Sequence, residues 1–167
     1  MKLFAILIGG EHAQANIELH DMRFVVARSI EETYADLRAQ WWGTPGSLHI
    51  DCWAMIDHAD GHDVTLRAEP FAGPQRLWFV NLGGYDRSVF AEQHKFVFVV
   101  AESAAKAKAR ALKLAQGWSD LHRDDLYEAE QAYALESAAG PHRLHIQLAP
   151  AATRDLAFTC AYTPIRG

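Results

Sequence analysis

The sequence repeats itself, and that limits its fold more than any other feature. A shift of 74 residues aligns 3–43 with 77–117 without a gap, and 12 of the 41 aligned positions are identical. The identities include Gly9/Gly83, Gly10/Gly84, Glu18/Glu92, His20/His94, Ser29/Ser103 and the run Phe24-Val25-Val26-Ala27 against Phe98-Val99-Val100-Ala101. After a one-residue deletion the alignment continues through His49/His122 and Asp51/Asp124, and after an insertion His62 meets His142. Such self-similarity marks a duplicated supersecondary unit, each copy of which needs a neighbour to bury its apolar face. The expected organisation is a first repeat over 1–67, a linker over 68–75 broken by Pro70, Gly73 and Pro74, a second repeat over 76–148, and a tail over 149–167.

Within the first copy the pattern predicts a strand near 2–8, an irregular stretch from Gly9 to Asp21, and a second strand at Phe24–Ala27. Ser29 with Glu32 three residues on reads as a capping box, and Ile30, Tyr34, Leu37 and Trp41 share one helical face. Leu48–Ile56 alternates, with Leu48, Ile50, Cys52, Ala54 and Ile56 on one side and His49, Asp51, Trp53 and Met55 on the other. Asp60-Gly61 then turns the chain into a last strand. Each copy is therefore expected to be ββαββ. In the second, Ser103 caps a helix to about residue 116, and the register sets a strand near 121–130 against a helix-favouring composition. The fold class is α+β: two tandem ββαββ repeats with pseudo-twofold symmetry, mixed sheets each carrying one helix, and an extra C-terminal strand at Leu156–Tyr162. The runs Phe24–Val26 and Phe96–Val100 are apolar on both faces, so each sheet needs a cover on the side its helix leaves open. The expected cover is the sister sheet, or a second chain in a homo-oligomer that uses the tail.

Composition removes several classes of function. Sixteen Lys and Arg against twenty-one Asp and Glu give a net charge of −5, without the cationic surplus of a nucleic-acid binder. The opening Leu3–Ile8 run imitates a secretory signal, but it is short, ends at Gly9-Gly10 and recurs in mid-chain from Leu77, so it reads as a strand. No apolar run approaches the roughly 18 residues that span a bilayer. Cys52 and Cys160 are too few and too far apart to suggest a disulfide framework, and a reduced, cytoplasmic chain is expected.

The elements Gly9-Gly10, Ala15–Asp21 leading into Phe24–Val26, Leu48–Asp51 and Asp60-Gly61 resemble the bacterial family known as domain of unknown function 1543. The resemblance runs over both copies, to about residue 148, although Phe90, Gln93 and Lys95 of the second copy stand where the first has Asn16, Leu19 and Asp21. It implies one or two copies of a domain per chain and no assigned activity.

Nine histidines are many for this length. Glu18 and His20 stand two apart at a strand entry, as do His49 and Asp51 within a strand. Were these strands neighbours, two imidazoles and two carboxylates would converge as a metal-binding or acid–base set. The competing expectation is structural: His and Glu retained in both copies satisfy backbone groups of a long buried loop. By that logic Asn16 and Asp21, present only in the first copy, suit a single specialised site. The candidate ligand-binding residues are Asn16, Glu18, His20, Asp21, His49, Asp51, Glu92, His94, His122 and Asp124, with no metal ligand or cofactor assigned. Gly9-Gly10 and Gly83-Gly84 read as turns needing positive φ, or else as an amide cradle for an anion. No HExxH, GxSxG, CxxC or phosphate-loop motif is present. The favoured function is a noncatalytic ligand-binding or oligomeric module, without nucleic-acid or membrane partners. A metal-assisted hydrolase or isomerase built on the Glu/His/His/Asp set is the alternative.

Overall fold

The computed structural model describes residues 1–85, 88–114 and 129–166. The first half of the chain forms β1 (Lys2–Gly10), β2 (Leu19–Ala27), a 3-10 turn (Glu31–Thr33), α1 (Tyr34–Gln40), β3 (His49–Met55), β4 (His58–Ala59) and β5 (His62–Arg67). After a stretch without helix or strand, the second forms β6 (Arg76–Tyr85), β7 (Glu92–Ala101), α2 (Ala104–Leu114), β8 (Ala129–Ala134), α3 (Glu136–Ala139), a 3-10 turn (Gly140–His142), β9 (His145–Pro150) and β10 (Phe158–Pro164). The fold is α+β, but the expected mixed sheets are antiparallel at every described ladder.

Three sheets result, ordered β10-β3-β1-β2, β7-β6-β8 and β4-β5-β9. The fourth strands of the two expected units therefore leave their own sheets and pair with each other, Val64 opposite Leu148. The tail strand is docked as the edge of the first sheet. Alternation within β1 sends Phe4, Ile6 and Ile8 to a buried cluster with Val25, Ile50 and Leu37 of α1. It sends Leu3 and Ala5 to another that contains Leu77, Phe79 and Val100 of the second sheet. Val80, Leu82 and Val99 pack on Ala107 and Ala111 of α2. The layers thus run α1, sheet, sheet, α2, with Phe24 and Phe79 meeting across the middle at 5.1 Å between ring centroids, their planes tilted by 59°. The face that each helix leaves open is covered by the other sheet.

The two hairpins share a register. All nine β1–β2 pairs recur in β6–β7 at a shift of 74, from Lys2↔Ala27 and Arg76↔Ala101 onward. The ladder to the third strand breaks at the same place in both, between Leu7 and Ile8 and between Asn81 and Leu82. The unpaired extra residue is Asp51 in β3 and Glu130 in β8, so the counterpart of Asp51 is Glu130 and not Asp124. The sequence alignment past residue 43 is displaced here. Of the expected strand over 121–130, Ala129 and Glu130 open β8, and the part before them, with His122 and Asp124, lies outside the described residues.

Other expectations change as well. Gly9 and Gly10 form no turn: they are paired residues of β1, and among the described residues only Gly46 and Gly61 are glycines with positive φ. The ladder needs backbone groups alone, so both strands run past the irregular boundary expected at Gly9–Asp21. The capping box does not close, because the Glu32 carboxylate accepts from the Arg28 amide at 2.9 Å. The Ser29 hydroxyl instead donates to Glu31 and holds that carboxyl below its usual pKa. Ser103 does cap α2, accepting from the Lys106 amide at 3.4 Å. The cysteines expected to be free form a disulfide, Cys52–Cys160, across 108 residues of sequence. Sequence distance gave no sign of it, because the two positions become partners only when β10 pairs with β3.

Candidate functional site

Gly9 is the pivot of the candidate site. It lies opposite His20 on one side and His49 on the other, so both imidazoles stand on the same face of the sheet with no side chain between them. The bulge at Asp51 moves Cys52 and Ala54 onto the His49 face and turns Trp53 and Met55 to the helix side, overturning the simple alternation expected for this strand. A Cβ added at Gly9 would come 2.6 Å from His49 Nε2 and 2.9 Å from Asp51 Oδ2. A Cβ at Gly10 would come 2.5 Å from the Trp41 ring. Both glycines are thus sites of close approach, which accounts for them better than a turn or an anion cradle does.

Four charged or titratable groups close into a ring. His49 Nε2 lies 3.1 Å from Glu18 Oε1 and 3.3 Å from Asp51 Oδ1. His20 Nε2 lies 3.6 Å from Glu18 Oε2 and 3.4 Å from Asp51 Oδ2. The His49 side chain is only 1% exposed, whereas that of His20 is 48% exposed. Tyr162 of β10 covers His49 with ring centroids 4.4 Å apart, and His49 Nδ1 sits 3.1 Å from the Ser47 carbonyl. The groups named beside the imidazole's nitrogens, two carboxylates and a carbonyl, are all acceptors. Nε2 makes no hydrogen bond of good geometry, nor does Asp51 Oδ2, so the ring is gathered but unsaturated. Such a set can take up or hand over a proton. Among the described residues no group of three or more His, Cys, Asp or Glu side chains is arranged so that it could hold a metal ion.

The remaining candidates lie elsewhere. Asn16 is exposed in the loop between β1 and β2. Asp21 points away from the ring, where its carboxylate accepts from its neighbour's Met22 amide at 2.8 Å and pairs with Arg23 at 2.7 Å. Glu92 lies 3.9 Å from His94, at the register position of Glu18 and His20. The expectation that His20 serves backbone groups of a buried loop does not hold: it stands on β2, partly exposed, and faces carboxylates. Tyr162 and Ser47 carry no sequence signal for a role here, since neither belongs to the repeat pairs.

His20 also faces a cleft of about 850 Å³. Met22 and Phe24 line it from β2, while Phe79, His94 and Phe96 line it from β6 and β7. The cleft is thus lined by an imidazole from each hairpin together with the rings of Phe24, Phe79 and Phe96.

Residues 15–66 match the model of a domain of unknown function, DUF1543. The crystal structure of a protein Il1583 from Idiomarina loihiensis resembles the whole chain: 31% of residues are identical, 99% of each chain is covered, and the TM-score is 0.72. No curated protein matches the chain.

Proposed function

This chain belongs to the same family as the Il1583 protein from Idiomarina loihiensis, and we propose for it a noncatalytic role: binding a small molecule between two tandem ββαββ units, 1–67 and 76–148. The shared hairpin register and the bulge recurring at the same step support the tandem, pseudo-twofold reading. The observation that carries the binding role is the cleft, which sets His20 and His94, equivalent in register, over Phe24, Phe79 and Phe96. Its volume falls within the roughly 300–1,000 Å³ of small-molecule sites, and its mixture of an apolar floor with a few polar groups is the usual makeup of such sites. The fitting ligand has a flat apolar body and an acceptor group, such as a carboxylate, to meet the two imidazoles. A fragment screen of aromatic carboxylates, followed by amide chemical-shift changes, tests this. Hits should map to β2, β6 and β7, and His20→Ala with His94→Ala should weaken them about tenfold or more, the loss of one hydrogen bond to a charged group being about 1.5–3 kcal/mol. Hits that bind the double variant as tightly as the wild type would remove the cleft from consideration.

The ring favours a second reading, an acid–base enzyme in which His20 is the exposed proton carrier and Glu18 and Asp51 orient it. It differs from the first in one respect that can be measured: a substrate would be consumed, and His20→Ala would abolish turnover while leaving binding of the apolar body intact.

A further inference from the structure

The tail strand holds the cover of the site, and very little holds the tail strand. Among the described residues β10 pairs only with β3 and forms the edge of its sheet. Most of its residues are exposed, with Phe158 at 72% and Tyr162 at 69%, so it contributes almost nothing to the core until Ile165, which is 2% exposed. Among the described residues its attachments beyond the ladder are the Ile165 amide donating to the Leu48 carbonyl at 3.0 Å, the Arg38 guanidinium donating to the Arg166 carbonyl at 3.0 Å, the Tyr162–His49 ring contact, the packing of Ile165, and the disulfide. Cys160 is exposed and Cys52 half-buried. Cys52 directly follows Asp51 of the ring, and Tyr162, two residues past Cys160, is the ring that covers His49.

We propose that Cys52–Cys160 is a reversible redox latch: closed, it clamps β10 to β3 and keeps Tyr162 over His49; opened by a thiol reductant, it frees the strand and uncovers His49. The exchange is balanced. A reductant thiolate attacks the exposed Cys160 Sγ, forming a mixed disulfide and releasing Cys52 as a thiolate that takes a proton. A second reductant thiol then attacks the mixed disulfide, leaving Cys160 reduced and the reductant oxidised, with two electrons transferred in all. Exposed disulfides on lightly held segments are the ones open to such exchange, and a weakly packed edge strand is the kind of segment that opens on its own. The latch does not rest on the cleft binding a ligand.

The test compares the oxidised full-length protein with the same protein treated with a phosphine reductant, following amide hydrogen exchange over 158–165 and modification of His49 by diethyl pyrocarbonate, both by mass spectrometry. Exchange in β10 should rise about a hundredfold on reduction, the lower end of the roughly 10²–10⁴ that a tether adds to a weak contact. The β1–β2 amides should hold, His49 should become reactive, and reoxidation with oxidised glutathione should restore both. Cys160→Ser should behave as the reduced protein; if that variant does not fold, the reduced wild type decides. The latch is refuted by two titratable thiols persisting after oxidation, by β10 exchange that changes less than about twofold on reduction, or by a general loosening in which β6 and β7 exchange faster as well.

Discussion

Replacing Gly9 with alanine probes the site through a single methyl group. The residue is paired on both sides near the end of β1, without positive φ, so alanine fits the backbone and would by itself gain about 0.5–1 kcal/mol over glycine in a strand. The new Cβ would stand 2.6 Å from His49 Nε2, 2.9 Å from Asp51 Oδ2 and 3.1 Å from His49 Cε1. A free imidazole would swing away at little cost. This one is held by Tyr162 on its face and by the Ser47 carbonyl at Nδ1, so its displacement counts as overpacking, about 1–3 kcal/mol. The difference spans about 0–2.5 kcal/mol and centres on a net loss of about 1 kcal/mol, which for a chain of this size lowers Tm by roughly 2–4 °C. Gly140→Ala is the control. Beyond its chain neighbours its Cβ meets nothing within 4 Å and its φ is −54°; the gain through the unfolded chain is offset by the cost of a Cβ in helical conformation before Pro141, so this variant should shift stability by well under about 1 kcal/mol. Scanning calorimetry shows a clear loss for Gly9→Ala alone if the ring is packed as described, and a Gly9→Ala protein melting above the wild type would show that His49 and Asp51 do not fill the space over Gly9.

Two further outcomes test the parts that hold the site in place. Phe79→Ala removes the ring that meets Phe24, Phe96 and Phe98 between the sheets and should cost about 3–5 kcal/mol in urea unfolding; a loss under about 1 kcal/mol would mean that the sheets do not share a core. Asp60, at φ 50°, accepts from the Val100 amide at 2.9 Å and also from the Arg110 guanidinium, whose pKa is raised chiefly by the hydrogen bond it donates to Asp60, so the guanidinium stays charged wherever the protein is folded. Asp60→Ala strands the Val100 amide and should cost about 2–3 kcal/mol, whereas Asp60→Asn, which keeps an acceptor and tolerates the left-handed backbone, should cost visibly less; equal losses would put the whole effect on the ion pair.

What the sequence made legible follows from which interactions are local. Strand alternation and the 74-residue repeat located both hairpins, because a hairpin pairs residues that are close in the chain. Glu18, His20, His49 and Asp51 were picked out as a set that would converge if their strands were neighbours, and β1 lies between those strands with only Gly9 separating the imidazoles. The bulge was invisible, since an unpaired residue such as Asp51 leaves no mark in a period-two pattern except to shift everything after it. The pairing of β5 with β9 and of Cys52 with Cys160 joins positions far apart in sequence, and no local preference encodes either. The structural reading of His20 fails for a related reason: the loop before it is largely exposed, and β2 begins five residues ahead of the apolar run at Phe24.

Both edges that close the N-terminal half are made by strands that are synthesised after both hairpins. β3 waits for β10 and β5 waits for β9, so until the C-terminal quarter of the chain has emerged, the nascent protein carries two open strand edges with apolar residues behind them. Long-range strand pairing of this kind is slow and leaves templates for association while it is incomplete. A chain cut short before β9 therefore does not yield a smaller stable protein. It is arrested at the stage most prone to stick to its neighbours, and an expressed fragment ending near the linker is better recovered by supplying the missing strands in trans than by shortening it further.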